Sequence, residues 1–537
     1  MKEQSTTKGF AILSAAGIIV KLLSLLYIPF LKYIITLNGF GIYQASYKIY
    51  VWIYVIANAG IPAAISKLVS EYMALQDYKD AVKSFKIARF MMLIIGTVMS
   101  LFMFIFAGPL ARLIEYENAK LAIMALAPTI FFTSIVSSYR GYFQGRGNMT
   151  PTAVSQILEQ IVNTIGTLVF AAMFMKYGVD AGCAGGTLGT SLGSLIAAIY
   201  LIIVYEKNKI IRVPKGYTEK NKIRKTNKQL VMRIIQYGVP LVICVGLQYS
   251  GDIIDLAIVK RRLLYSGLTD FESNEKFGLF SMYRTLLSVP ITLISALAAS
   301  VLPAISGSYS LKDKESVQSK INYALRFCFL VAVPSAVGLA VLNDGIFELL
   351  FKEKQGGVML LYGSVVLVLN SIVLIQTSIL QSIGKLYTST LFIMLGVFGK
   401  IITNYILVGI PSINIIGAIF GNMVFFLIPL ILNYNLINRK LKIKIKLFTH
   451  FKKPFLASAL MGIVVYGLNL SLIIILSKYS ISGYVANAIA TVIPIFIAIF
   501  IYILGLAITG GISQEDLKEL PSKFTKLIPK TILKLIK

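Results

Sequence analysis

Apolar runs of about 20 residues, the length that crosses a bilayer core, follow one another from end to end of this 537-residue chain. No other feature limits the fold so strongly. Lipid offers no water to exposed peptide groups, so runs of this kind satisfy their own hydrogen bonds as helices. On the length criterion about 14 spans are expected. They lie near 9–34, 42–66, 86–110, 119–142, 150–175, 181–205, 230–256, 277–305, 321–343, 357–380, 386–410, 414–437, 454–477 and 483–509. The chain is 57% hydrophobic and 14% charged, more apolar surface than a soluble domain can hide. The expected class is an all-α integral membrane protein.

A net charge of +29 could point to nucleic acid, but the cations are not spread as a binding surface. They concentrate in the even-numbered loops: Lys207, Lys209, Arg212, Lys215, Lys220 and their neighbours in the sixth, Arg439, Lys440, Lys442, Lys444 and Lys446 in the twelfth. The odd loops are sparse or balanced, as in Arg112, Glu115, Glu117 and Lys120. This is the positive-inside pattern and predicts a cytoplasmic-membrane protein with both termini in the cytoplasm. The basic balance then implies contact with anionic membrane lipids rather than nucleic acid. The first run carries Lys21 and Pro29 and no small-residue cleavage site, so it reads as a retained helix, not a removed signal. Cys183, Cys244 and Cys328 have no metal-site spacing and read as packing residues.

The chain also repeats. FGIYQASYK at Phe40–Lys48 is echoed by FGLFSMYR at Phe277–Arg284, and IPAAIS at Ile61–Ser66 by VLPAIS at Val301–Ser306. Ser134, Gln144 and Gly147 match Ser371, Gln381 and Gly384 at one offset; Gly185 and Gly189 match Gly417 and Gly421 after a small deletion. The expected organisation is an N-terminal lobe of six helices at 1–205, a basic linker at 206–228 and a second six-helix lobe at 229–440. Two extra helices and a basic amphipathic tail follow at 441–537. Six helices per copy is even, so the lobes are parallel repeats, between which a substrate path is expected. Gly182, Gly185, Gly186, Gly189 and Gly193 read as a close helix contact. Gln76–Lys86 reads as a solvated connection, and Gly145–Asn148 as a hairpin turn.

No enzyme motif and no metal or cofactor signature is present. His450, the one histidine, reads as a solvated loop residue. Charges inside spans are costly and carry function by default. Lys21, Lys48 and Arg284 fall on the first, second and eighth helices, and Lys48 and Arg284 stand in the two echoed segments. Such a set suits a doubly anionic ligand such as a phosphate ester, with snorkelling to the interface as the bland alternative. Arg140 and Glu159 flank the hairpin of the fourth and fifth helices and read as a structural ion pair. Asp252, Asp255 and Lys400 read either as a structural pair or as a coupling-ion site.

The run SSYRGYFQGRGNMTPTAVSQILEQ at Ser137–Gln160, with Gly17–Tyr43 closing on FGIY, resembles the polysaccharide-transporter branch of the multidrug/oligosaccharidyl-lipid/polysaccharide exporter superfamily. It is most similar to the stage V sporulation protein B group and the MurJ-type lipid II flippases. The resemblance implies an alternating-access flippase with a cationic cavity lined mainly by helices 1, 2, 7 and 8, to which Lys21, Lys48 and Arg284 would contribute. It implies a polyprenyl-pyrophosphate glycolipid as substrate, a tail groove on the last two helices, and cell-wall synthesis proteins as neighbours. Two positions depart from it. Asn163 stands where relatives often carry arginine, with Lys400 at the equivalent place in the second copy. Helix 11 offers Thr403 and Asn404 where an acidic sodium ligand can occur, so sodium coupling is not implied. A drug/cation antiporter of the same superfamily and a non-transporting envelope-assembly scaffold stay open as alternatives.

Overall fold

The computed structural model describes residues 6–58, 60–208, 225–442, 447–478 and 483–510. Within these residues the chain is helical, with no strand. In chain order the helices are α1 (Thr6–Asn58), α2 (Ile61–Ala74), α3 (Tyr78–Ile105), α4 (Ala107–Leu113), α5 (Lys120–Gly145), α6 (Thr150–Phe174), α7 (Val179–Asn208), α8 (Asn227–Ile254) and α9 (Lys260–Tyr265). There follow α10 (Asp270–Ser310), α11 (Lys314–Val341), α12 (Asn343–Phe351), α13 (Gly357–Ser382), α14 (Leu386–Leu407), α15 (Ile416–Leu441), α16 (Leu447–Lys478) and α17 (Gly483–Thr509). Thirteen stretches among the described residues are long and apolar enough to cross a membrane.

The first of these, Ile12–Met73, spans 62 residues and holds two expected spans. A straight helix of that length would reach about 90 Å, three times a bilayer core of about 30 Å. The chain breaks at Thr36, whose φ of 67° and ψ of 171° lie outside the helical range. The Thr36 hydroxyl then accepts from the Gly39 amide at 3.4 Å, in the manner of an N-cap opening the second leg. That leg ends at Asn58, earlier than the expected 66. A new helix starts at Ile61 with Pro62 in its first turn, where proline's missing N–H has no helical partner to lose.

Two other expectations change. Gln76–Lys86 is not a solvated connection. Asp77 caps α3 by accepting from the Asp80 amide at 3.2 Å, and Asp80, Ser84 and Phe85 are buried in its first turns. Asp80 in turn accepts from the Lys225 amide. His450 is not in a loop. It lies in the first turn of α16, which begins before the apolar run because a helix continues past the hydrocarbon core into its basic flank. The basic linker around 209–224 and the amphipathic tail beyond 510 fall outside the described residues.

The described chain groups into two compact units. One runs to Ser281 and takes in Val408–Ser412; the other comprises Met282–Leu407 and the chain from Ile413. The boundary falls inside α10. In the first unit, Phe85, Tyr139, Tyr142 and Tyr205 form one buried core with Leu68, Leu230 and Ile234, so the first turns of α8 pack here. In the second unit, Met461 and Val465 of α16 close over Leu342 together with Tyr502 of α17.

Close helix contacts recur in both copies. A Cβ on Gly193 of α7 would meet the Glu159 carbonyl of α6, and one on Gly396 of α14 would meet the Phe425 carbonyl of α15. These are the same two positions with the small residue moved to the other helix. Gly189 lies against Thr167, and Gly421 against Asn404, again at corresponding positions. Across the repeat, a Cβ on Gly41 of α1 would strike the Asn274 carbonyl of α10, and one on Gly278 would lie 3.0 Å from the Leu37 carbonyl. Gly41 and Gly278 correspond, as do Leu37 and Asn274, so this crossing is locally two-fold symmetric. Gly41→Val is expected to cost about 1–3 kcal/mol by forcing the backbones apart. Thermal unfolding in detergent reads this, and an unchanged melting temperature would show that the crossing has slack.

Candidate functional site

The second leg of α1 sets the geometry. Its FGIYQASYKIYVWIY run places Tyr43, Tyr47, Tyr50 and Tyr54 at alternating four- and three-residue steps, which a helix brings onto one stripe. Their rings contact in series at 5.5, 5.5 and 5.9 Å between centroids. The Tyr47 hydroxyl reaches Thr190 on α7 at 3.1 Å. This tyrosine ladder fixes the rotation of the leg within the bundle, and so aims Lys48.

Lys48 does not stand alone. Its ammonium donates to Asp252 of α8 at 2.9 Å, with side chains 19% and 23% exposed. A partly buried ion pair of this kind holds a cation ready at little Coulombic cost, since each charge offsets the desolvation of the other. Asp255, one turn on, is fully buried inside a π-helical turn, Asp255–Val259. Turns of this type insert an extra residue and occur often at functional positions.

Arg140 and Glu159 meet at 2.7 Å across the hairpin of α5 and α6, and the Arg140 Nε donates to Ser155 at 2.9 Å. Lys400 is almost fully buried, donates to Asn422 at 2.7 Å and lies 5.4 Å from the centre of the Phe425 ring. Asn163 and Thr190 make the matching contact in the first unit at 3.0 Å. The cation absent at Asn163 and present at Lys400 therefore sits at one structural position in both copies, between the fifth and sixth helices of each. Lys21 is half-buried on the first leg of α1 and makes no ion pair among the described residues. Arg284 is half-buried on α10, next to Tyr283, whose ring lies against Gly363. No group of three metal-ligating side chains occurs among the described residues.

The sequence reading missed Lys260. Its side chain is 2% exposed, pairs with Asp270 at 2.7 Å and lies 3.8 Å over the Tyr116 ring. Burial lowers its pKa from the ordinary lysine range, and the Asp270 contact opposes that shift. Burial likewise raises the Tyr116 phenol. Beside it, Arg261 meets Glu115 at 3.0 Å, and Asn274 of α10 donates to Asn38 at 2.9 Å. In sequence, Lys260-Arg261-Arg262 looks like a solvated basic end, because nothing local marks which of three adjacent cations folds inward.

Similar proteins bear on this arrangement. Stage V sporulation protein B of Bacillus subtilis (strain 168) is 25% identical over 97% of this chain and 98% of its own length. A protein of that strain named lipid II flippase MurJ is 24% identical over 85% of this chain and 87% of its own. The solved structure of a lipid II flippase MurJ in an inward closed conformation superposes with a TM-score of 0.68. It covers 93% of this chain and 98% of that one at 16% identity, a likeness that shows the fold. The multi-pass helical fold is thus one shared with that solved flippase structure. The family model described as polysaccharide biosynthesis protein matches residues 6–309, more than half of the chain, and the chain belongs to that family.

Proposed function

We propose that this protein flips a polyprenyl-pyrophosphate-linked sugar precursor, lipid II or a related cell-wall or spore-cortex intermediate, from the inner to the outer leaflet of the cytoplasmic membrane. It works by alternating access between two six-helix lobes, with both termini in the cytoplasm. The observation that carries this reading is Lys48, a cation inside a membrane helix whose contact with Asp252 a phosphate can take over. Charge-assisted hydrogen bonds to phosphate are strong, and a lysine supplies them as a mobile point charge. Lys21 and Arg284 add cations on two further family-typical helices. The names of the relatives point the same way.

The test is native mass spectrometry of lipids retained by the purified protein, followed by flipping of lipid II in reconstituted vesicles. Retained polyprenyl pyrophosphate and transport are the expected outcome; protein that carries only bulk phospholipid and moves no lipid II would overturn the reading. Asp252→Asn removes the competing carboxylate. It is expected to tighten pyrophosphate binding about tenfold, equal to about 1.4 kcal/mol, and to slow turnover because release becomes harder. Weaker binding in this variant would show that Asp252 supports the site rather than competing within it.

A further inference from the structure

The repeat offers a control inside the same molecule. Lys83 and Arg89 of α3 correspond to Lys320 and Arg326 of α11, at the spacing that relates Ser134 to Ser371. In the first unit aromatic rings pack beside Arg89. Phe85 packs against Tyr139, Tyr142 and Tyr205 with centroids 5.4, 4.5 and 5.2 Å away. Arg89 is absorbed by this cluster, donating to the Tyr139 hydroxyl at 3.0 Å and lying 5.7 Å from the Phe85 ring. Lys83 donates to the Lys225 carbonyl at 2.8 Å.

In the second unit the same positions hold Asn322, Gln376, Ile379 and Ile437. Three of the four aromatic rings are replaced by smaller side chains and the fourth by a glutamine. Gln376, Ile379 and Ile437 are buried, and Asn322 lines a cavity of about 810 Å³. Its wall carries Lys320, Arg326 and His450, with Asn322, Ser300 and Glu315. Lys320 and Arg326 thus line this cavity, whereas Arg89 packs on aromatic rings. Lys320 donates to the Ala304 carbonyl at 3.0 Å and to the Ser308 hydroxyl, both neutral oxygens. His450 of α16 meets Asn322 at 3.2 Å, which ties the start of α16 to the cavity wall. Ser319, Asn322 and Arg326 recur at three- and four-residue steps, so the polar stripe of α11 faces one way.

We propose that this cavity is a second anion site that binds a phosphate ester, separate from the cations on α1 and α10. Three basic side chains against one carboxylate leave a positive balance. An arginine fork plus a lysine point charge match the oxygens of a phosphate. Val301, Ala304 and Tyr323 supply an apolar flank for the group the phosphate carries. The wall is built from the last turns of α10 and the first turns of α11 and α16, the level of a membrane helix at which headgroups lie. A phospholipid headgroup and a soluble phosphate ester share this chemistry.

The test uses full-length protein and the double variant Lys320→Gln/Arg326→Gln. Nanodiscs of phosphatidylcholine with a minor share of phosphatidylglycerol supply the lipid; inorganic phosphate supplies the soluble anion. The expected result is that the wild type retains one phosphatidylglycerol by native mass spectrometry and the double variant retains it at least about tenfold less well. Retention lost in the variant assigns a lipid source. Phosphate protection of the wild type alone against thermal unfolding, without lipid retention, assigns a soluble source. Indistinguishable behaviour of the two proteins toward both probes overturns the proposal. Ala304→Trp places a bulky ring in the cavity beside Lys320 with both cations intact and is expected to weaken retention of the same ligand, so the proposal stays testable if the double variant folds poorly. Retention unchanged in a folded Ala304→Trp protein counts against it.

Discussion

Glutamate at both Lys48 and Arg284 is expected to abolish lipid II flipping while leaving the protein inserted. Each cation lost from a phosphate removes a charged hydrogen bond worth about 1.5–3 kcal/mol. Two together predict at least a 100-fold loss, since about 1.4 kcal/mol is a factor of ten. Reversal adds repulsion of the phosphates. At position 48 it also sets a carboxylate beside Asp252, where two acids at ion-pair distance do not both ionise readily. Single changes grade the effect. Alanine at Lys21, Lys48 or Arg284 is expected to cut flipping, and Lys48→Arg is expected to be milder than Lys48→Ala because the charge survives. A flipping or complementation assay in cells, with expression matched, reads all of these. Full activity of Lys48→Glu/Arg284→Glu would end the cationic mechanism and leave the fold untouched.

Glu159→Ala is expected to be strongly destabilising. It takes the carboxylate from the Arg140 guanidinium inside the first unit and leaves it the Ser155 hydroxyl. Stranding one member of a buried pair costs about 3–5 kcal/mol. The side chains are 17% and 24% exposed, which places the expectation at the lower end. Replacing both, Arg140→Met with Glu159→Met, is expected to recover much of the loss, because no charge is then left without its counterion. Detergent melting curves of the two singles and the double give the coupling. A double variant as unstable as Glu159→Ala would mean that packing of the hairpin, not charge, is what the pair provides.

The two pairs differ in how far they could be read beforehand. Arg140 and Glu159 flank one hairpin, so their meeting follows from two adjacent helices and a turn at Gly145–Asn148. Lys48 and Asp252 lie on α1 and α8, about two hundred residues apart in sequence, and no local rule pairs them. The tyrosine ladder was present in the letters as a helical stripe, yet an aromatic stripe reads as ordinary core until its partner on α7 is known. Lys260 was harder still. Its burial depends on the Tyr116 ring from a distant loop, while its immediate neighbours Arg261 and Arg262 suggest solvent.

The sequence by itself determined that the chain spans a membrane repeatedly and that its spans are helices, because lipid leaves peptide groups no other partner. It also carries matched residues at one offset, from which a duplication is expected. The tertiary structure alone decided which charges meet, that Thr36 rather than a loop breaks the first helix, and that Arg89 packs on aromatic rings while Arg326 lines a cavity. Those outcomes depend on side chains from helices far apart in sequence filling, or failing to fill, the same volume. Hydropathy measures each segment against lipid and carries no information about that shared volume.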